Sequence, residues 1–338
     1  MSETPVLGIA IVGVGGIAAS HMAALRATDR ARLACVQDMD RARARQVALQ
    51  EDCAVEDTLD AVLARDDVEA VIVCTPNLTH EDIGLAVLRA GRHLLMEKPL
   101  AMTAEGADEL GRTAEERGLV LAVGHSHRFS AQGRAVHEAV ASGAVGVPRF
   151  VRIVMNGGWI WPGWQAWVLD PAVSGGHSLH NGVHLTDLAS WWIGERPDTV
   201  FATGQAVTSR ALDISDYLVI ELGFPGGAAA VCEVSRAERP RRAAYLEFTV
   251  VGTDGVLRRT WDADGIRAWL EEGLAMWAPD GAAGDVFVAE IDAFAAAIRG
   301  EAPAVPAVAD AVDAVRVAAA AEESLKTGRL VRREEVRR

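Results

Sequence analysis

Along residues 1–124, short β-branched and aliphatic runs alternate with longer stretches whose apolar positions recur every three to four residues. These are the periods of strand and helix. The pattern predicts strands over Val6–Val12, Arg32–Gln37, Ala70–Cys74, His93–Met96 and Leu119–Val123. Helices are predicted over Ile17–Ala27, Arg41–Gln50, Thr79–Ala90 and Ala104–Arg117, each long enough to cross over a sheet. Such alternation builds βαβ units and a doubly wound parallel sheet.

After Gly124 the texture changes. A helix over Gln132–Ala141 is followed by period-two runs at Arg149–Met155, Thr199–Val207, Asp216–Phe224, Ala228–Arg236, Tyr245–Val251, Val256–Trp261 and Ile266–Glu271. Pro225-Gly226-Gly227, Thr253-Asp254-Gly255 and Asp262 to Gly265 are closely spaced turn signals, which suit hairpins rather than helical crossovers. Helices are expected at Leu179–Ile193, Val286–Ile298 and Ala307–Lys326. The expected architecture is α/β at residues 1–124 and, at 125–338, an α+β domain built on a large, mainly antiparallel sheet.

The first strand runs into Gly13-Val14-Gly15-Gly16-Ile17-Ala18, which matches G-x-G-x-x-[GA] where a strand hands over to a helix. Gly13 serves the tight turn, Gly15 lets backbone approach a pyrophosphate, and Ala18 allows the helix to pack close on the strand. The N–H groups of Gly16 and Ile17 open the helix, where they can face a diphosphate. Asp38 ends the second strand, 20 residues past Ala18, placed to accept from a ribose 2′-hydroxyl. This is the fingerprint of a Rossmann dinucleotide-binding domain, and the acid favours NAD over NADP.

Charge narrows the partners. With 47 acids against 33 bases, the formal charge of −14 repels phosphate backbones and anionic lipid surfaces, so neither nucleic acid nor membrane is expected. Apolar residues at 50% exclude a disordered chain. The four cysteines form no C-x-x-C pair, and the apolar stretch from Val6 to Ala19 is broken by glycines and lacks a basic leader. A reducing, cytoplasmic setting is the expectation.

The glycine fingerprint, Thr75-Pro76-Asn77 with His80, Glu97-Lys98-Pro99, and the later Gly175-Gly176 to His184 with Asp187 together resemble the Gfo/Idh/MocA oxidoreductases. That family comprises glucose-fructose oxidoreductase, inositol dehydrogenase and related sugar and polyol dehydrogenases. The resemblance runs in order through nearly the whole chain, and its most specific element is the E-K-P tripeptide. It implies Lys98 as catalytic lysine, His184 as acid-base histidine and a catalytic place for His180. It also implies a cofactor lining of Thr75, Pro76, Asn77, His80, Glu97, Lys98 and Pro99. Arg128, Trp167, His180 and Asn181 join Lys98 and His184 as implied substrate contacts, and the C-terminal sheet as the surface of a homodimer or homotetramer. Independently, Thr75–Asn77 and Glu97–Pro99 follow the third and fourth predicted long strands, at the carboxyl edge where open α/β sheets bind ligands.

The chain departs from the family pattern at Gly175-Gly176-His177-Ser178-Leu179-His180. His177 replaces the third glycine of the usual triplet, and His180 stands where an aspartate is expected. His177, His180 and His184, spaced by three and four, would share one α-helical face with Asp187, an arrangement open to zinc. Hydride transfer to a nicotinamide needs no metal, and none is expected. Six of the nine tryptophans lie between Trp159 and Trp192. The segment Trp159 to Trp167 reads equally as a substrate lid or as packing, whereas Trp191 and Trp192 read as core. The implied function is an NAD-dependent dehydrogenase of a sugar, polyol or related cyclic alcohol. The alternatives are an NAD-using glycoside hydrolase and a dinucleotide-binding regulator without turnover.

Overall fold

The first strand, Leu7–Val12 (β1), is buried at all six positions, as a parallel strand covered on both faces must be. The chain continues through Gly16–Ala27 (α1), Ala31–Gln37 (β2), Arg41–Glu51 (α2), Ala54–Val55 (β3), Leu59–Leu63 (α3) and Ala70–Val73 (β4). It then forms His80–Arg89 (α4), His93–Met96 (β5), Ala104–Glu116 (α5) and Leu121–Val123 (β6). The six strands pair in parallel in the order β3-β2-β1-β4-β5-β6. The order reverses between β1 and β4, and at such a switch point the crevice for a ligand opens beyond the carboxyl ends of the strands. Asp40, Thr58 and Thr103 cap α2, α3 and α5 by accepting from backbone N–H groups of the first turn. The five long strands and four long helices fall where the periodicity placed them. The sequence reading missed β3 and α3, which at two and five residues are too short to show a period.

The computed structural model describes residues 6–158, 167–209, 214–238, 245–259, 266–270, 273–277 and 286–335. In the second half Ala131–Ala141 (α6) precedes Pro148–Gly158 (β7), and Pro171–Ser174 (α7) and Val183–Ile193 (α8) follow. The strands Thr199–Gln205 (β8), Tyr217–Gly223 (β9), Ala229–Glu238 (β10), Tyr245–Gly252 (β11), Gly255–Arg259 (β12), Ile266–Leu270 (β13) and Gly273–Trp277 (β14) come next. They form a sheet in the order β14-β13-β12-β11-β7-β10-β9-β8, antiparallel at every pairing except β7 with β10. Period two is visible in its packing. Val151, Ile153, Leu218, Ile220, Ala230, Cys232, Phe248 and Val250 join a core with Leu185, Leu188 and Trp192 of α8. On the other face Arg152 bridges Glu247 at 2.7 Å and Glu233 at 3.5 Å.

The chain ends with Val286–Ile298 (α9), Val308–Thr327 (α10) and Val331–Arg332 (β15), which pairs with β8. Two units result, Met1–Phe129 with Gly284–Val312 and Ser130–Ala283 with Asp313–Arg338. The single cut expected after residue 124 is thus corrected. Helix α9 carries Ile291, Phe294 and Ala295 into the core of the first unit beside Ala18, Met22 and Leu25 of α1. Periodicity marks the apolar face of a helix but not which core receives it.

With that face comes a carboxyl group. Glu290 is 2% exposed, and neither of its oxygens has a hydrogen-bond partner among the described residues. Burial, with the Glu97 carboxylate nearby, pushes its pKa well above the usual carboxylate range, so it is held as the neutral acid. Above the unfolded pKa of about 4.3 the unfolded chain releases this proton while the folded chain keeps it, so stability falls as pH rises. In Glu290→Gln, which keeps shape without the proton, that slope is removed. Denaturation followed from about pH 5 to about pH 8 should find the variant's advantage widening by up to about 1.4 kcal/mol per pH unit; a constant difference would refute a protonated Glu290.

Candidate active site

The turn after β1 is shaped for close approach. Gly13 has φ +86°, and a Cβ there would lie 2.9 Å from the Cys74 carbonyl, so only glycine lets this turn lie against the end of β4. A Cβ on Gly15 or Gly16 would meet nothing within 4 Å, which leaves open space in front of the loop. Gly15 caps α1 without a side-chain hydrogen bond, and no acid stands in the first turn. The first N–H groups of the helix and its dipole therefore suit an anion. Ile17 is 37% exposed at this mouth. Asp38 lies at the end of β2, where one carboxylate oxygen accepts from Val14 N at 2.8 Å and the other from Asp40 N at 2.8 Å. Its remaining lone pairs suit ribose hydroxyls, and these residues fit a dinucleotide.

Beyond β4 and β5 lie two further segments, the Thr75–Asn77 loop and the Glu97–Pro99 strap. Glu97 is 6% exposed. One of its oxygens accepts from His21 Nε2 at 2.7 Å, and the other from the main-chain N–H of Lys98 at 3.2 Å. Burial would raise its carboxyl, but the His21 hydrogen bond and the Lys98 ammonium hold it below the usual range. Gly124 faces this carboxylate, since a Cβ there would sit 3.1 Å from Oε2. His80, at the start of α4, is fully buried, with Nδ1 2.6 Å from Pro99 O and Nε2 2.9 Å from Thr75 O. Implied as a cofactor contact, it ties the two segments together. Between these ties Lys98 is half-buried, as are Thr75 and Pro76, while Asn77 is buried. Cys74 adjoins the loop, but burial pushes its thiol well above the ordinary value, so it is no nucleophile.

The first unit also holds Arg128, which is implied as a substrate contact. The structure shows a partner for it within the unit. Its side chain is 3% exposed and its guanidinium lies 3.2 Å from Asp310, an ion pair inside the unit. His21 and Glu290 were not singled out in the sequence. Each carried a signal: His21 interrupts the apolar face made by Ala18, Met22 and Leu25, and Glu290 precedes the buried Ile291 and Phe294.

In the second unit, Gly175 and Gly176 adopt φ +79° and +86°. A Cβ on Gly176 would stand 2.5 Å from the Glu322 carboxylate, which accepts from Ser178 N and Oγ. His177, at the family's third glycine, has φ −74°, so a side chain is unstrained there. Its Nδ1 lies 3.0 Å from Ser215 O. The next turn, Ser178–Gly182, is π-helical and leads into α8. The wider turn breaks the α-helical stripe expected of His177, His180 and His184. Among the described residues no group of three or more His, Cys, Asp or Glu side chains is arranged for a metal. His180 and His184 are half-buried, and Asn181 is 5% exposed with its Oδ1 accepting from Arg236 at 3.0 Å. Trp167 is 38% exposed and sets its ring edge-on to His180, centroids 5.3 Å apart. The expected lid from Trp159 otherwise lies outside the described residues. Trp192 is core, donating to Gly133 O at 3.1 Å, and Trp191 stacks on His137.

Comparison with known proteins agrees with this fold. Residues 7–125 match the oxidoreductase family with NAD-binding Rossmann fold, and residues 134–258 match the Gfo/Idh/MocA C-terminal domain. A 2,7-anhydro-N-acetylneuraminate hydratase of Mediterraneibacter gnavus is 31% identical over 67% of this chain and 61% of its own length, so the match spans about three fifths of that relative. A myo-inositol 2-dehydrogenase of Thermotoga maritima is 30% identical over 70% of this chain and 69% of its own. Among solved structures, GenD2 from gentamicin A biosynthesis, in complex with NAD, superposes with a TM-score of 0.86 at 30% identity, covering 97% of each chain. An aldose-aldose oxidoreductase from Caulobacter crescentus gives 0.86 at 25%, covering 97% of this chain and all of that one. With both of its domains matched in order, the chain belongs to the Gfo/Idh/MocA family of oxidoreductases, whose N-terminal domain is an NAD-binding Rossmann fold.

Proposed function

We propose that the protein is an NAD-dependent dehydrogenase that moves hydride between a nicotinamide and the carbinol carbon of a sugar, polyol or related cyclic alcohol. The observation that carries this is the Lys98 strap, fixed at the carboxyl end of β5 by Glu97 and His80 in the sheet that bears the glycine turn and Asp38. The relatives named above include an inositol dehydrogenase and an aldose oxidoreductase, which supports a polyhydroxylated substrate.

The glycine turn and the first N–H groups of α1 hold the diphosphate, and Asp38 accepts from the ribose. NAD, once bound, supplies the hydride acceptor at C4 of its nicotinamide. Thr75, Pro76, Asn77, Glu97 and Pro99 form the walls of its pocket. His184 takes the hydroxyl proton as the C–H bond is broken, and the Lys98 ammonium stabilises the developing alkoxide. His180, Asn181 and Trp167 contact the substrate, and His180 supplies both donor and acceptor capacity where the family's aspartate only accepts. No metal takes part in this scheme. Among the described residues no helix is long and apolar enough to cross a membrane, and all four cysteines are unpaired thiols. Both support the cytoplasmic assignment.

Lys98→Met keeps side-chain length but removes charge and donors. Stopped assays of NADH formation on a sugar and polyol panel should show turnover lowered by about a hundredfold or more, with NAD affinity largely kept. A comparable loss is expected for His184→Ala, along with the loss of the pH dependence due to a general base. Near-normal turnover in both variants would remove Lys98 and His184 from the mechanism, and a wild type that turns over nothing on the panel would leave a non-catalytic dinucleotide binder as the better reading.

Cofactor choice follows from Asp38, whose carboxylate would face a 2′-phosphate at close range. The Michaelis constant should be lower for NAD than for NADP, and the reverse order would remove this role from Asp38. Assembly through the open face of the second sheet, within residues 149–280, should give a homodimer or homotetramer. Light scattering that returned the mass of one chain, 35.9 kDa, at micromolar concentration would refute it.

A further inference from the structure

His80 faces two acceptors and no donor. A carbonyl oxygen can only accept, so each ring nitrogen must donate for both contacts, at 2.6 Å and 2.9 Å, to be hydrogen bonds. A neutral imidazole carries one N–H. Its other nitrogen would then point a lone pair at a carbonyl lone pair at hydrogen-bond distance, in a place no water reaches, since the residue is 0% exposed. Only the imidazolium satisfies both.

We propose that His80 is a proton-operated brace: with both ring nitrogens protonated it holds the Thr75–Asn77 loop and the Glu97–Pro99 strap to each other, and loss of one proton releases one of them, so that the placement of Lys98 depends on pH. The alkoxide-stabilising role of Lys98 in this inference rests on the dehydrogenase reading; the brace itself does not.

The surroundings set where the proton is lost. From the strap, the Glu97 carboxylate favours the cation and the Lys98 ammonium opposes it. From the loop after β4, the Thr75 carbonyl faces it as an acceptor. His21 of α1 acts through Glu97, with which it shares a hydrogen bond, and Glu290 of α9 is a neutral acid. On α4 itself His80 is the first residue, where the helix dipole disfavours a cation, and Glu81 next to it is directed at Gly106 of α5. Burial is the largest influence and draws the pKa below the ordinary histidine value. The brace is therefore complete on the acid side and is released as pH rises through a midpoint below the ordinary histidine value. The release opposes the rising activity expected as His184 becomes able to accept a proton.

Nitrogen-15 NMR of the full-length protein labelled at histidine and on the backbone, with His80→Gln for assignment, reads the brace directly. Followed from neutral pH downward, His80 should carry one ring proton at the neutral end and gain the second on the acid side, at a midpoint below the ordinary histidine value. The backbone amides of Thr75, Lys98 and Leu100 should move with the same midpoint in the wild type and stay still over that range in His80→Gln. With an active substrate, kcat should show a falling limb at that midpoint. In the variant the limb should be absent and kcat at the acid end about tenfold lower, with the dissociation constant for NAD changed less than about threefold. A ring fixed in one protonation state throughout, amides that ignore its titration, or a falling limb unchanged in the variant would each overturn the proposal. If no substrate is turned over, the dehydrogenase reading fails, while the ring and amide titrations still decide the brace.

Discussion

The hydrogen bond between His21 and the buried carboxylate of Glu97 is the interaction on which the first unit's site depends. An ionised carboxylate withdrawn from water loses several kcal/mol of hydration unless donors replace it. Here the replacement comes from His21 Nε2 at 2.7 Å and the Lys98 main-chain N–H at 3.2 Å. The neighbourhood is fitted around that need. A Cβ at position 124 would come within 3.1 Å of the carboxylate, where glycine leaves room, and Glu290, buried and with this anion nearby, keeps its proton. The register of α1 is bound to the same requirement, since His21 has to lie on its buried face.

What Glu97 does for the start of the strap, His80 does for its end. Glu97 fixes the main chain at Lys98 from one side, and the ring of His80 receives the carbonyl of Pro99 from the other. A long, flexible lysine side chain thereby begins from a backbone with little freedom, which lowers the entropy lost in directing its ammonium. The second unit uses a similar device with other parts. Glu322 takes the N–H and hydroxyl of Ser178 against a glycine pair that leaves room for its carboxylate, and this fixes the start of the turn that leads to His180, Asn181 and His184.

Most of this architecture was legible in the sequence. The βαβ alternation, the glycine turn and Asp38 are local patterns, and local patterns survive folding because each is enforced by its own backbone geometry. The long strands and helices of both units follow from periods of 2 and 3.6 in the same way. Long-range features were not legible. Nothing in the spacing of Val286–Ile298 says that its apolar face joins the core beside α1, so the domain boundary was drawn too simply. The partner of Arg128, Asp310, stands 182 positions away and could not be read from spacing. The histidine stripe failed for a subtler reason. Spacings of three and four define one face only at 3.6 residues per turn, and Ser178–Gly182 is wound more loosely.

The positions that depart from the family pattern all lie in the second unit. The first unit answers to a constant demand, a dinucleotide of fixed shape and charge, and its glycine turn, Asp38 and strap keep their expected residues. At position 177 the φ of −74° frees the chain from the glycine that a left-handed conformation would require, so the substitution is permitted by the backbone rather than forced on it. Position 180 differs in kind. Histidine in place of the family's aspartate exchanges a fixed anion for a ring set at right angles to that of Trp167. A hydroxyl that donates to a carboxylate loses half its partners there, while an oxygen that needs a donor gains one. In the proposed dehydrogenase, the change at this single position bears on which ring substituents the enzyme accepts without touching the Lys98 strap, because strap and helix are positioned by separate sets of buried polar groups.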